Sequence, residues 1–145
     1  NLKVKSPNLK LILLGEGEEL ANYKSQIKQL EIEDSIIFPG FTKNVYAYFK
    51  HAKMCVVSSR IEGFPNVLLQ MMSQNTKIVS TMCAGGIDTI NGIFTCETHS
   101  EPSLRKAMLD CLNTDTTTNR SVFDLYLDSM SIESFMTIID FNLKN

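Results

Sequence analysis

Short apolar runs that end in a glycine or serine loop and give way to a helical pattern recur along this chain, and that recurrence constrains its fold more than any single residue. The first is residues 9–14, where Leu9 and the unbroken Leu11, Ile12, Leu13 and Leu14 run into Gly15-Glu16-Gly17. A continuous apolar run bounded by glycines suits a strand of a buried parallel sheet. Over residues 18–30 the apolar Leu20, Tyr23, Ile27 and Leu30 fall at helical spacing, with Glu18 and Glu19 expected in the first turn, where they favour the helix dipole.

The same unit returns twice. Residues 35–40 read as a strand, 44–52 as a short helix capped by Asn44, and 54–59 as the next strand. Residues 66–75 read as a helix, 77–81 as a strand, 83–90 as a glycine loop and 92–96 as a last short strand. Residues 101–113 carry Leu104, Met108, Cys111 and Leu112 on one face with Pro102 near the first turn, the pattern of a helix. A polar loop over 114–121 and helices around 122–130 and 132–143 complete the chain. Strands alternating with helices imply the α/β class, a Rossmann-like, doubly wound parallel sheet, whose ligands sit at the carboxyl ends of the strands. That rule selects the loops 15–18, 40–43, 58–66 and 83–90.

With 145 residues, 43% of them hydrophobic, the chain fits one domain spanning residues 1–145. Fourteen lysines and arginines against 16 acidic residues leave a net charge of −2, which provides no electrostatic footprint for nucleic acid. Cys55, Cys83, Cys96 and Cys111 show no paired spacing and read as reduced, mostly buried thiols. No apolar run approaches the roughly 20 residues of a membrane span, so the expectation is a soluble, cytoplasmic protein open to peripheral membrane contact.

The stretch 58–66 is chemically the most specific. A strand ends, the backbone turns through Gly63, and Pro65 opens a helix with Asn66 close behind. The N–H groups of Gly63, Phe64, Asn66 and Val67 would then lack intrahelical partners at the positive end of a helix dipole, where a phosphate or diphosphate belongs. Glu62 repels phosphate unless it faces something else, and sugar hydroxyls are suitable donors to it. The implied ligand is a sugar nucleotide. Gln70, eight positions beyond Glu62, projects from the same helix, and its amide suits ribose hydroxyls. Read blandly, Glu62 is a solvated loop acid, Gln70 bonds a neighbouring carbonyl, and Gly15, Gly17, Gly85 and Gly86 are turn glycines. Met71 and Met72 read as core, His51 and His99 as structural or solvated. Of the aromatics Phe41, Tyr46, Tyr48 and Phe49, Phe41 is the best candidate for a surface near the base.

"SSRIEGFPNVLLQMMSQNTKIVST" resembles the signature of the retaining, GT-B-fold glycosyltransferases of family GT4, a group with many enzymes of bacterial polysaccharide, capsule and lipopolysaccharide biosynthesis. "LKLILLGEGEEL", "IIFPGFTKNVYAYFKHAKMCVVSS" and "CAGGIDTINGIFT" are similar to that family's successive blocks, in the same order, over residues 8–113. The resemblance implies the C-terminal, donor-binding half of a GT-B enzyme, with Glu62 facing the donor sugar as the catalytic position. It implies Gly63 to Val67, with Gly15 and Gly17, at the donor diphosphate and sugar, and Gln70 at the ribose. In the family a glutamate holds the ribose; glutamine here keeps hydrogen-bonding capacity and loses the charge-assisted grip. "NLKVKSPNLKL" resembles only the end of the family's first helix, so the first strand, its basic Arg and Lys, and the N-terminal acceptor domain are expected to be missing from this chain. The partners implied are a UDP- or GDP-sugar and a glycan or lipid-linked acceptor, with no metal or other cofactor and with the parent at the inner face of the cytoplasmic membrane. Two alternatives share the residues: the nucleotide half of a GT-B-fold sugar-nucleotide 2-epimerase, and a scaffold module that binds nothing.

Overall fold

A computed structural model describes residues 8–134, so the N-terminal stretch 1–7 and most of the helix expected at 132–143 lie outside the described residues. The strands fall on the apolar runs. The chain folds as two units, Asn1–Val45 and Tyr46–Asn145.

In the first unit β1 (Leu11–Leu14) leads into helix α1 (Leu20–Gln29), and a 3-10 turn (Glu33–Ser35) opens β2 (Ile36–Gly40). The two strands pair in parallel, Leu11 opposite Ile36 and Ile12 opposite Ile37, with an irregularity before Leu14 meets Gly40. Helix α1 starts later than the spacing predicts. Glu19 is its N-cap and Glu18 precedes it, so neither lies in the first turn. The reason is local: residues 18 and 19 complete the turn out of the glycine loop, closed by the Leu20 N–H donating to the Gly17 carbonyl at 3.2 Å.

Helix α2 (Val45–His51) begins at the boundary, and β3 (Cys55–Val57), α3 (Asn66–Met72), β4 (Ile78–Thr81), β5 (Ile93–Cys96), α4 (Glu101–Asn113) and α5 (Asn119–Ser129) follow. The sheet order is β3-β4-β5, all parallel, with Cys55 opposite Ile78 and Ile78 opposite Ile93. Every residue of the central β4 is buried, the signature of a parallel strand covered on both faces. On one face Val79 and Cys96 pack against Ala107 and Cys111 of α4. Helix α4 is fixed at both ends. Ser100 Oγ accepts from the Ser103 N–H at 3.3 Å, and Lys77 Nζ donates to the carbonyls of Cys111, Leu112 and Thr114 at 2.9, 2.9 and 2.8 Å, satisfying groups a helix end leaves open.

The α/β class with parallel strands agrees with the sequence. Where the alternation predicts one sheet, the described strands form two, because β1 pairs only with β2 and β3 only with β4. Helix α5 also starts inside the stretch read as a polar loop. Asn119 Nδ2 donates to the carbonyls of Thr76 and Gly92 at 3.1 and 3.0 Å, and these distant partners fix the helix start.

Candidate functional site

Loops at the carboxyl ends of parallel strands carry the groups that a ligand meets. In the first unit the loops after β1 and β2 meet each other. Gly15 donates its N–H to the Gly40 carbonyl at 3.1 Å, and the Phe41 N–H donates to Glu16 Oε1 at 3.4 Å. Gly15 and Gly40 have φ of 108° and 75°, the left-handed region where a side chain is strained. Gly17 has no positive φ and open space where a Cβ would stand, so its conformation does not demand glycine. Phe41 is 73% exposed and presents a free aromatic face beside Gly40.

In the second unit the segment between β3 and α3 is pinned to the end of β4. Thr81 Oγ1 donates to the Ser59 carbonyl at 2.6 Å, and the Glu62 N–H donates to the Cys83 carbonyl at 2.8 Å. Ser59 Oγ donates to Glu62 Oε1 at 2.8 Å, while Glu62 is otherwise exposed. Buried Pro65 is the N-cap of α3, extended at φ −77° and ψ 96°, and its carbonyl accepts from the Leu68 N–H at 2.8 Å. Proline suits the place because its fixed φ costs nothing there and it has no N–H to satisfy. Among the described residues the N–H groups of Gly63, Phe64, Asn66 and Val67 have no hydrogen-bond partner. These are the donors expected from the sequence, and they are open to an acceptor.

Helix α3 buries Leu68, Met71 and Met72, confirming both methionines as core. Asn66 and Gln70, four apart, share the less buried flank. Among the described residues no hydrogen bond engages the Gln70 amide, while its backbone carbonyl accepts from Ser73 Oγ at 2.8 Å. Glu62, Gly63 to Val67 and Gln70 thus belong to one unit, and Gly15, Gly17 and Phe41 to the other.

Gly86, at φ 85°, caps the 3-10 turn Ile87–Thr89, and Gly85 lies in the turn just before it without a positive φ. All four cysteines are free and buried. Burial pushes the Cys55 thiol up to about 12 and that of Cys111 up to about 11, so neither is a nucleophile at neutral pH. Among the described residues no group of three His, Cys, Asp or Glu is placed to hold a metal ion. No helix among them is long and apolar enough to cross a membrane.

Sequence reasoning missed a cleft of about 290 Å³ lined by Ser58, Arg60, Thr81, Glu97, His99 and Glu101, among others. His99 sits there at φ 58°. The only signal available was that Ser58, Thr81 and Glu97 end or follow strands. Sequence reasoning also missed Ser59, Thr81 and the Cys83 carbonyl as the groups that hold Glu62.

Comparison with known proteins adds an independent line. An uncharacterised glycosyltransferase of Methanocaldococcus jannaschii is 37% identical over 82 residues, a stretch covering 57% of this chain and 20% of that protein. N-acetylgalactosamine-N,N'-diacetylbacillosaminyl-diphospho-undecaprenol 4-alpha-N-acetylgalactosaminyltransferase of Campylobacter jejuni is 34% identical over 74 residues, 51% of this chain and 20% of that protein. The chain therefore matches a fifth of the length of each of these relatives. Among solved structures, Anabaena HepE in complex with UDP matches with a TM-score of 0.78 at 19% identity, covering 95% of this chain and 41% of that one, a likeness of fold. The family model described as glycosyl transferases group 1 matches residues 1–120, and the chain belongs to that family.

Proposed function

We propose that this chain is the donor-nucleotide-binding part of a retaining glycosyltransferase that moves a hexose or N-acetylhexosamine from a UDP- or GDP-sugar to a polysaccharide or lipid-linked acceptor. The observation that carries the reading is segment 62–67, where an anchored, exposed carboxylate stands directly before backbone N–H groups that have no partner among the described residues. As the glycosidic C–O bond breaks, negative charge develops on the departing nucleoside diphosphate. Fixed N–H donors of Gly63, Phe64, Asn66 and Val67 stabilise that charge without reorganising. Glu62 accepts hydrogen bonds from sugar hydroxyls, and the Gln70 amide reaches the ribose. Gly15, Gly17 and the exposed Phe41 serve the diphosphate and the base.

In this reading no metal takes part, because backbone donors do the neutralising. The chain is one Rossmann-like domain of a larger parent, in which a further strand precedes β1. A second, N-terminal domain of the parent binds the acceptor, and the enzyme works in the cytoplasm at the inner membrane face. The Campylobacter relative's name specifies a diphospho-undecaprenol acceptor, which supports the lipid-linked class. The relatives' names describe transferases, which favours transfer over 2-epimerisation.

Titration calorimetry of the full-length protein with UDP, GDP and their sugar conjugates tests the reading. We expect saturable binding of one nucleotide, weakened about 10-fold by Gln70→Ala through loss of one hydrogen-bonding group and tightened by Gln70→Glu. Glu62→Ala removes the affinity that the sugar adds and leaves that of the bare nucleotide. Absence of saturable binding, or indifference to both residues, overturns the reading in favour of a scaffold.

A further inference from the structure

Thr81 is the last residue of β4 and 4% exposed. Besides the 2.6 Å bond to the Ser59 carbonyl, its hydroxyl reaches the Val57 carbonyl at 3.5 Å. One buried side chain therefore fixes the backbone where β3 ends and the loop begins. Ser59, so oriented, spends its only proton on Glu62 Oε1. The neighbouring main chain closes the arrangement, since the Glu62 N–H is held by the Cys83 carbonyl just beyond β4. Glu62 is thus tied to the end of one strand through both its backbone and its carboxylate.

An exposed glutamate carries several freely rotating bonds, and fixing them opposes side-chain entropy. A hydroxyl bonded to an ionised carboxylate is among the stronger hydrogen bonds and offsets that cost. The bond is also selective. It occupies Oε1, while Oε2 has no described donor and is the oxygen left for an incoming hydroxyl.

We propose that Ser59 and Thr81 are positioning residues that hold the Glu62 carboxylate in one orientation, with Oε1 anchored and Oε2 presented to a hydroxyl of the donor sugar. The inference rests on the assignment of Glu62 to that sugar. A carboxylate that is present but averaged over rotamers still meets the sugar in the bound complex, yet misplacement costs rate when the reacting geometry must be held.

Two readouts on the full-length protein separate this inference from the assignment beneath it. The first is the Glu62 rotamer, followed by three-bond couplings in glutamate-labelled protein. The second is nucleotide release from whichever of UDP-glucose, UDP-N-acetylglucosamine and GDP-mannose is turned over. We expect Ser59→Ala to change the Glu62 couplings from one rotamer to an average and to lower kcat about 10-fold with donor KM within about 2-fold, while Ser59→Thr restores kcat to within about 3-fold. Thr81→Val shows the same split and Thr81→Ser is spared. In a Glu62→Ala background Ser59→Ala costs nothing further, because a residue acting through another is not additive with it. Unchanged couplings in Ser59→Ala, or a loss that repeats in full without Glu62, overturns the positioning role. Averaged couplings combined with a Glu62→Ala protein of normal turnover overturn the donor assignment instead, and with it the catalytic meaning of the anchor.

Discussion

The two units are written in the same alternation of strand and helix, yet they differ in what they bury. Within residues 8–45 the only buried residue is Ser35; α1 buries none of its side chains, and Leu11 and Ile37 in the strands are 46% and 45% exposed. In the second unit Leu68, Met72, Ile78, Val79, Ile87, Cys111 and Phe123 are fully buried. Two paired strands with one helix cover too little apolar area to be firm by themselves, whereas three parallel strands with helices packed on them form a core. The chemistry follows the difference. Glu62 and the N–H groups of Gly63 to Val67 are carried by the unit with the core and anchored to its most buried strand. Gly15, Gly40 and Phe41 stand on the thinner unit, where one loop-to-loop hydrogen bond and the Glu16 contact are the described supports.

Removing bulk from each unit tests that difference most directly. Phe123 is fully buried, and Phe123→Ala is expected to cost about 3–5 kcal/mol from lost transfer energy and the cavity left behind. Ile37→Ala in β2, at 45% exposure, is expected to cost about 1 kcal/mol or less. Urea unfolding followed by far-UV circular dichroism measures both, and amide hydrogen exchange should find β4 protected far longer than β1. Equal costs for the two substitutions would erase the distinction between the units.

A subtler contrast uses two glycines with similar backbones. Gly15 and Gly92 have φ of 108° and 90°. A Cβ at Gly15 meets nothing within 4 Å, but one at Gly92 would stand 3.0 Å from both Asn119 Cγ and Phe123 Cε1. Gly15→Ala therefore carries conformational strain alone, about 1–2 kcal/mol. Gly92→Ala adds overpacking against the start of α5, for a total of about 2–4 kcal/mol. Thermal unfolding of the two variants measures the difference, and Gly92→Ala is expected to melt well below Gly15→Ala.

What could be read from the sequence follows the same line. Buried parallel strands are continuous apolar runs, so all five strands lie inside the stretches read as strands. Helix ends depend on contacts from elsewhere: α1 yields residues 18 and 19 to a turn, and α5 gains Asn119 through carbonyls of Thr76 and Gly92. At the site, Gly63, Pro65 and Asn66 announce a turn and a helix start by their own chemistry, and the open N–H groups follow from that start. The support of Glu62 does not announce itself. It depends on the register that places Val57 opposite Ser80 and so brings Thr81 and Cys83 to a loop more than twenty positions earlier. No local spacing encodes that register, and no local pattern marks the cleft of Arg60, Glu97 and Glu101.

Titration separates the units by the smallest margin. All four cysteines lie in the second unit and none in the first. Burial, assisted by the neighbouring Cys111, raises Cys55 from 9.0 to about 12; burial raises Cys111 from 9.0 to about 11, against a small lowering by Lys77. A thiol whose folded pKa exceeds its unfolded value holds its proton longer when folded. Its contribution is fully present below pH 9 and is lost as pH climbs toward the folded value. By pH 10 that loss is about 1 kcal/mol per thiol. Under reducing conditions, denaturant midpoints at pH 8 and pH 10 should therefore lie closer together for the Cys55→Ala, Cys111→Ala double variant than for the unsubstituted protein, the tyrosines and lysines common to both cancelling. A separation unchanged by the double substitution would mean that the alkaline loss arises elsewhere, and that β3 and α4 do not hold these two thiols as dry as their burial implies.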